Sequence, residues 1–155
     1  MTKFDKWALT KLKEDKDLNT WLPVKVIYTD DLPQWVGGRC HYKIFGAEIK
    51  IKTKYKENDP GILAHELTHA KQYGNLFWLH LLLKSFDKYT LFIELDAYRE
   101  QIKAYNYIQK GQYLWIVNAL LDPKRYGLKI SLEEAIEYAD FMFSDLIEEN
   151  IKKEK

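Results

Sequence analysis

Two histidines four residues apart, with a glutamate directly after the first, stand in the stretch GILAHELTHAKQY from Gly61 to Tyr73. On a helix, His65 and His69 lie one turn apart on one face, so their imidazoles can converge on a single ion. Glu66 sits about 100° further round, beside that ion rather than on it. A carboxylate there can take a proton from metal-bound water and later deliver it to a leaving amine. A hydrolytic zinc centre needs three protein ligands and an open position for water. The HExxH spacing supplies two ligands and a base. The inert alternative is a helix that displays two histidines and a solvated glutamate. Against it, Leu63, Leu67 and Ala70 form an apolar stripe that would bury one side of the same helix.

The element carrying this stretch has a clear start. Asp59 can act as N-cap with Pro60 at the first helical position, and Gly74 is expected to end the helix. The third ligand must come from another element. In the spacing HExxHxxGxxH the glycine position falls on Gln72 and the last histidine position on Asn75, so that pattern fails. The segment LFIELDAYREQ offers Glu94 instead, with room before it for an intervening helix and a turn. Ala97 shares the Glu94 face and is small enough to let two helices approach closely. Asp96 points about 200° away on an ideal helix. It is expected as a surface carboxylate or as one that orients a histidine N–H.

HELTHAKQY followed by ELDAYRE resembles the small gluzincin-type metallopeptidases, whose pattern is HELxHxxQ and then a downstream E-x-[ED]-A-Y helix. These short proteins are often carried by bacteria and their phages. The resemblance runs from about Gly37 to Gln101 and includes a strand reading EIKIKTKY just before the HExxH helix; HExxH is its specific part. It implies a single zincin-like domain over residues 1–155 and one zinc ion (Zn2+) per chain. By motif position, His65, His69 and Glu94 would be the ligands and Glu66 the general base. Asp96 stands where such segments often carry a second glutamate, which keeps it as the competing third ligand.

Other polar side chains have weaker claims. His41 sits on a strand and His80 inside the apolar run LFWLHLLL, where a structural role is the simpler reading. His41, Tyr98 (one turn beyond Glu94) and Tyr73 (one turn beyond His69) are the candidates for stabilising an oxyanion, and their order is not legible in sequence.

The remaining elements follow from periodicity. Phe4, Trp7, Ala8, Lys11 and Leu12 recur at helical spacing, predicting an N-terminal helix that ends near Asp17. VKVIYTD (Val24 to Asp30) reads as a strand, and RCHYKIF and AEIKIKTKY as two strands joined tightly around Gly46. Ile49 and Ile51 alternate with Lys50 and Lys52, so one face of the last strand is buried. Helices are expected over Leu76–Phe86, Thr90–Lys110, Gln112–Leu121 and Ser131–Ile151, the last opened by the capping box Ser131-Leu-Glu-Glu134. The layout is α+β, a small three-stranded sheet followed by a helical half.

Composition narrows the function classes. At 155 residues with 46% apolar and 30% charged residues, the chain has the balance of one folded domain. A formal charge of +1 gives no nucleic-acid footprint. The single Cys40 cannot form an internal disulfide. The charged N-terminus has no signal-like apolar stretch, and LFWLHLLL falls short of the roughly 20 residues a bilayer requires. The expectation is a cytoplasmic protein without stable membrane insertion, its oligomeric state open, acting on a peptide or protein substrate. The strand Ala47 to Tyr55 would edge the cleft, with the C-terminal helices as its other wall. Two non-enzymatic alternatives stay open. One is a zinc-stabilised interaction module whose site is closed by His41, Asp96 or Cys40. The other displays the aromatic helices Leu76–Phe86 and Tyr113–Leu121 to a partner or a membrane surface.

Overall fold

A computed structural model describes residues 1–14, 22–76, 83, 85–105 and 113–153. In chain order it runs α1 (Lys3–Glu14), β1 (Val24–Tyr28), β2 (Gly38–Lys43), β3 (Gly46–Ile51), a short 3-10 turn, α2 (Pro60–Leu76), α3 (Asp87–Tyr105), α4 (Leu114–Leu121) and α5 (Leu132–Lys153). The class is α+β, with a three-stranded sheet ahead of the helical half. Most of the helix expected over Leu76–Phe86, including His80, lies outside the described residues, as do the expected ends at Asp17 and Lys110. No helix among the described residues is long and apolar enough to cross a membrane.

The sheet order is β1-β3-β2. β3 pairs parallel with β1, Val26 opposite Ile49, and antiparallel with β2, Cys40 opposite Ile49. β3 is therefore central, and β2 is the strand that edges the cleft; the expectation that Ala47–Tyr55 would do so is corrected. Strand pairing, which no local pattern reveals, decides this. The alternation itself holds: Ala47, Ile49 and Ile51 are buried and pack with Ala70, Ile62, Leu63 and Leu67 of α2.

α2 opens as its sequence demands, with the Ile62 N–H donating to Asp59 Oδ1 at 3.1 Å. It passes through Gly74 without stopping. A glycine ends a helix by taking a left-handed φ, and among the described glycines only Gly46 and Gly127 have positive φ. α3 lies against α2. The two meet closely at one end because Gly61 has no side chain: a Cβ there would lie 2.4 Å from the Tyr105 ring, whose hydroxyl bonds Asp59. The other face of α3 enters a larger apolar core with Leu9, Ile116, Leu120, Tyr138, Met142 and Phe143. α5 begins with the Glu134 N–H donating to Ser131 Oγ at 3.0 Å. Buried Arg99 ties α3 to α5 through Asp145 Oδ1 at 2.8 Å and the Met142 carbonyl at 2.7 Å.

Candidate metal centre

The seam between α2 and α3 brings three donors together. The Nε2 atoms of His65 and His69 are 3.2 Å apart, and Glu94 Oε2 lies 3.5 and 3.4 Å from them. All three residues are buried. Among the described residues this is the one cluster of metal-ligating side chains at such spacing. A tetrahedral zinc with bonds of about 2.0–2.2 Å sets its ligand atoms about 3.3–3.5 Å from one another. The three sides of the triangle come close to that.

A shared proton fits the same atoms poorly. A charge-assisted N–H···O bond closes to about 2.7–2.9 Å, and Glu94 Oε2 has no hydrogen-bond partner although it is buried. The tautomer of His69 points the same way. Gln72 Nε2 donates to the Ile93 carbonyl at 3.0 Å and to Asp96 Oδ2 at 2.8 Å. Its Oε1 is thereby turned to His69 Nδ1, 3.0 Å away. An amide oxygen can only accept, so Nδ1 carries the hydrogen and Nε2 keeps its lone pair toward the cluster. Electrostatics agree. Burial alone would raise the Glu94 carboxyl, but the charge on His69 and contacts with both imidazoles hold it well below the usual carboxylate range. Burial opposes a charged His69, yet the Glu94 carboxylate pushes its imidazole up. The pair attracts positive charge, a proton as readily as an ion, so the distances and the Gln72 contact carry the metal reading.

Glu66 stands beside the triangle. Burial raises its carboxyl against the lowering effect of the two imidazoles and, least, of the Cys40 backbone N–H of β2. β2 comes this close because residue 38 is glycine: a Cβ there would lie 2.9 Å from both Cγ and Oε1 of Glu66.

Asp96 is not in the cluster. It is buried, its carboxyl pushed up to about 6 chiefly by that burial, and it meets Gln72 instead of a histidine N–H. Tyr98 lies edge-on to His65, centroids 4.5 Å apart, and lines the cleft. Burial pushes its phenol up to about 12, against a downward pull from the charge on Arg125. Tyr73 stacks on Tyr42 at 4.4 Å and donates to the Lys43 carbonyl at 3.3 Å, outside the cleft lining. His41 also lies outside it. Alternation along β2 gives Gly38, Cys40 and Tyr42 to the cleft and pairs His41 with Glu48, and burial with nearby Lys50 and Arg39 pushes its imidazole down.

Sequence reasoning missed two residues that the fold brings in. Gln72 carried a signal, one turn past His69 on the same face. Tyr126 carried none: it arrives from the loop after α4 to line the cleft, with burial and the Glu94 charge driving its phenol upward. The cleft over these groups has a volume of about 600 Å³. Trp35 and β2 wall one side and Trp115 with Lys124, Arg125 and Tyr126 the other. Comparison with family models, curated proteins and solved structures finds no match for this chain.

Proposed function

We propose that the protein is a zinc-dependent metallopeptidase of gluzincin type on a zincin-like domain, hydrolysing peptide bonds in the cleft between β2 and the α4–α5 loop. The observation that carries the reading is the Nε2–Nε2–Oε2 triangle of His65, His69 and Glu94, open on one side to a cleft lined by Glu66. His65, His69 and Glu94 would hold one zinc, which when bound polarises a carbonyl and acidifies a water. Glu66 would serve as the general base, taking a proton from the attacking water on a carboxylate oxygen and returning it to the departing amide nitrogen. Its burial, which raises its affinity for a proton, suits both halves of the transfer. Tyr98 and Tyr126, rather than Tyr73 or His41, present phenols on the cleft side, where a developing oxyanion could accept a hydrogen bond.

The ion's fourth position separates an enzyme from a metal-stapled binding module. The cluster contains no fourth donor among the described residues, which favours the enzyme. Elemental analysis of the purified protein should find one zinc per chain. Glu66→Gln should retain that zinc while peptide turnover falls by about 10²–10⁴-fold. Zinc lost from Glu66→Gln would make Glu66 a ligand and overturn the mechanism. Zinc retained by a wild-type protein that cleaves no peptide would leave the ion as a staple between α2 and α3.

A further inference from the structure

We infer that the cleft selects substrates carrying a carboxylate near the scissile bond, read by Lys124 and Arg125 on the wall formed by the α4–α5 loop. This rests on the peptidase reading and adds a substrate class to it. Among the described residues, the carboxylates lining the cleft are Glu66 and Glu94. Both are committed to the metal centre, and zinc's two positive charges would balance them. What is left facing the substrate is cationic. Lys124 and Arg125 line the cleft from exposed positions, where water does not have to be stripped from them in advance. Asp122 lies 3.9 Å from Arg125 Nε, a separation at which two partly exposed groups gain little from each other.

The cations are also placed to act on the chemistry. Lys124 and Arg125 directly precede Tyr126, and all three line the same cleft as His65, His69 and Glu94. Trp115 packs edge-on against Tyr98 at 5.3 Å and is half exposed. It offers an apolar surface beside the cationic pair. A substrate residue seated there meets an aromatic face on one side and positive charge on the other. A carboxylate satisfies both neighbours, whereas a lysine or arginine side chain is repelled. Two sources supply the same chemistry, an acidic side chain or a free C-terminus.

The test uses full-length, zinc-loaded protein and a blocked alanine hexapeptide. One arm places glutamate at each position in turn, a second places lysine there, and a third frees the C-terminal carboxylate. Steady-state cleavage should favour at least one carboxylate-bearing peptide over the neutral one by about 10-fold or more, mainly through KM, as expected for a hydrogen bond to a charged group. Lysine peptides should rank last. The arm that responds identifies the source. In Lys124→Ala/Arg125→Ala the acidic-to-neutral ratio should collapse toward one, and Arg125→Glu should invert the order of glutamate and lysine peptides. Binding of the same peptides to Glu66→Gln, followed by tryptophan fluorescence at rising salt, reads the preference without turnover. Equal affinity for acidic, neutral and basic peptides in that assay overturns the inference, whether or not the wild type cleaves them. Cleavage without charge preference overturns it too and leaves the peptidase reading standing. Charge-selective binding without any cleavage sustains the inference for the cleft and removes the peptidase reading.

Discussion

The seam between α2 and α3 and the core beneath α5 are built from opposite materials. Apart from Asp5, the buried polar and charged residues among those described all belong to α2 or α3: His65, Glu66, Thr68, His69, Lys71 and Gln72 on one, Glu94, Asp96, Arg99 and Glu100 on the other. α5 buries Ala135, Tyr138, Ala139, Met142, Phe143 and Leu146. Burying a polar group costs free energy unless each is paired, so the seam gains little from being folded. The apolar core gains roughly 25 cal/mol for each Å² removed from water. The contrast assigns stability to one region and chemistry to the other, with α3 shared between them through its two faces.

The contrast can be broken most forcefully from the apolar side. Phe143 is fully buried, and Phe143→Ala should destabilise the protein by about 3–5 kcal/mol in denaturant titration. The zinc content of the molecules that remain folded should not change. If metal is lost in step with stability, the two regions are one cooperative structure and the division fails.

From the polar side, the metal itself is the lever. Zinc at about 1,000 times its dissociation constant should stabilise the fold by about 4 kcal/mol, visible as a rise in Tm that a chelator reverses. Glu94→Gln should lose that increment. A full zinc-dependent rise in Glu94→Gln would mean that another carboxylate, Asp96 first, holds the ion. Asp96→Asn tests the next layer. The change removes a charge from the group that orients Gln72, and it should weaken zinc by about 10–100-fold in competition with a chelator. An effect as large as that of Glu94→Gln would promote Asp96 to ligand.

The smallest expected effect sharpens the comparison by staying local. Ser131→Ala removes the hydroxyl that caps α5 and should cost about 1 kcal/mol. Peptide turnover should be unchanged. A change in kcat would show that α5 reaches the site through Arg99 and Asp145.

The parts of this arrangement that sequence made legible are those set by helical periodicity. His65, His69 and the flanking Glu66 follow from spacing within one element. Glu94 follows from one further step, a second helix whose face carries Ala97, which is fully buried. The caps at Asp59 and Ser131 were equally local. What escaped was set by how distant elements meet. The edge position of β2, the outward turn of His41 and the arrival of Tyr126 depend on strand order and on a loop far along the chain. Gly38 and Gly61 are clearances, one for Glu66 and one for Tyr105, and nothing in their local sequence signals it. Gly74 signalled a stop, but the helix runs on to Leu76 with Gly74 buried inside it.

Gln72 has a consequence beyond orienting one histidine. Its amide has a donor end and an acceptor end, and each faces a partner of the opposite kind: the Ile93 carbonyl and Asp96 on one side, His69 Nδ1 on the other. Sliding α3 along α2 by one residue would remove both acceptors from the donor end together. Apolar side chains across a helix pair tolerate such slips when volume is kept, because grease has no polarity to contradict. The amide does not. It works as an alignment key between two helices, and a misaligned pair would leave the imidazole in the wrong tautomer, an error in proton placement where an ordinary core would record only looser packing.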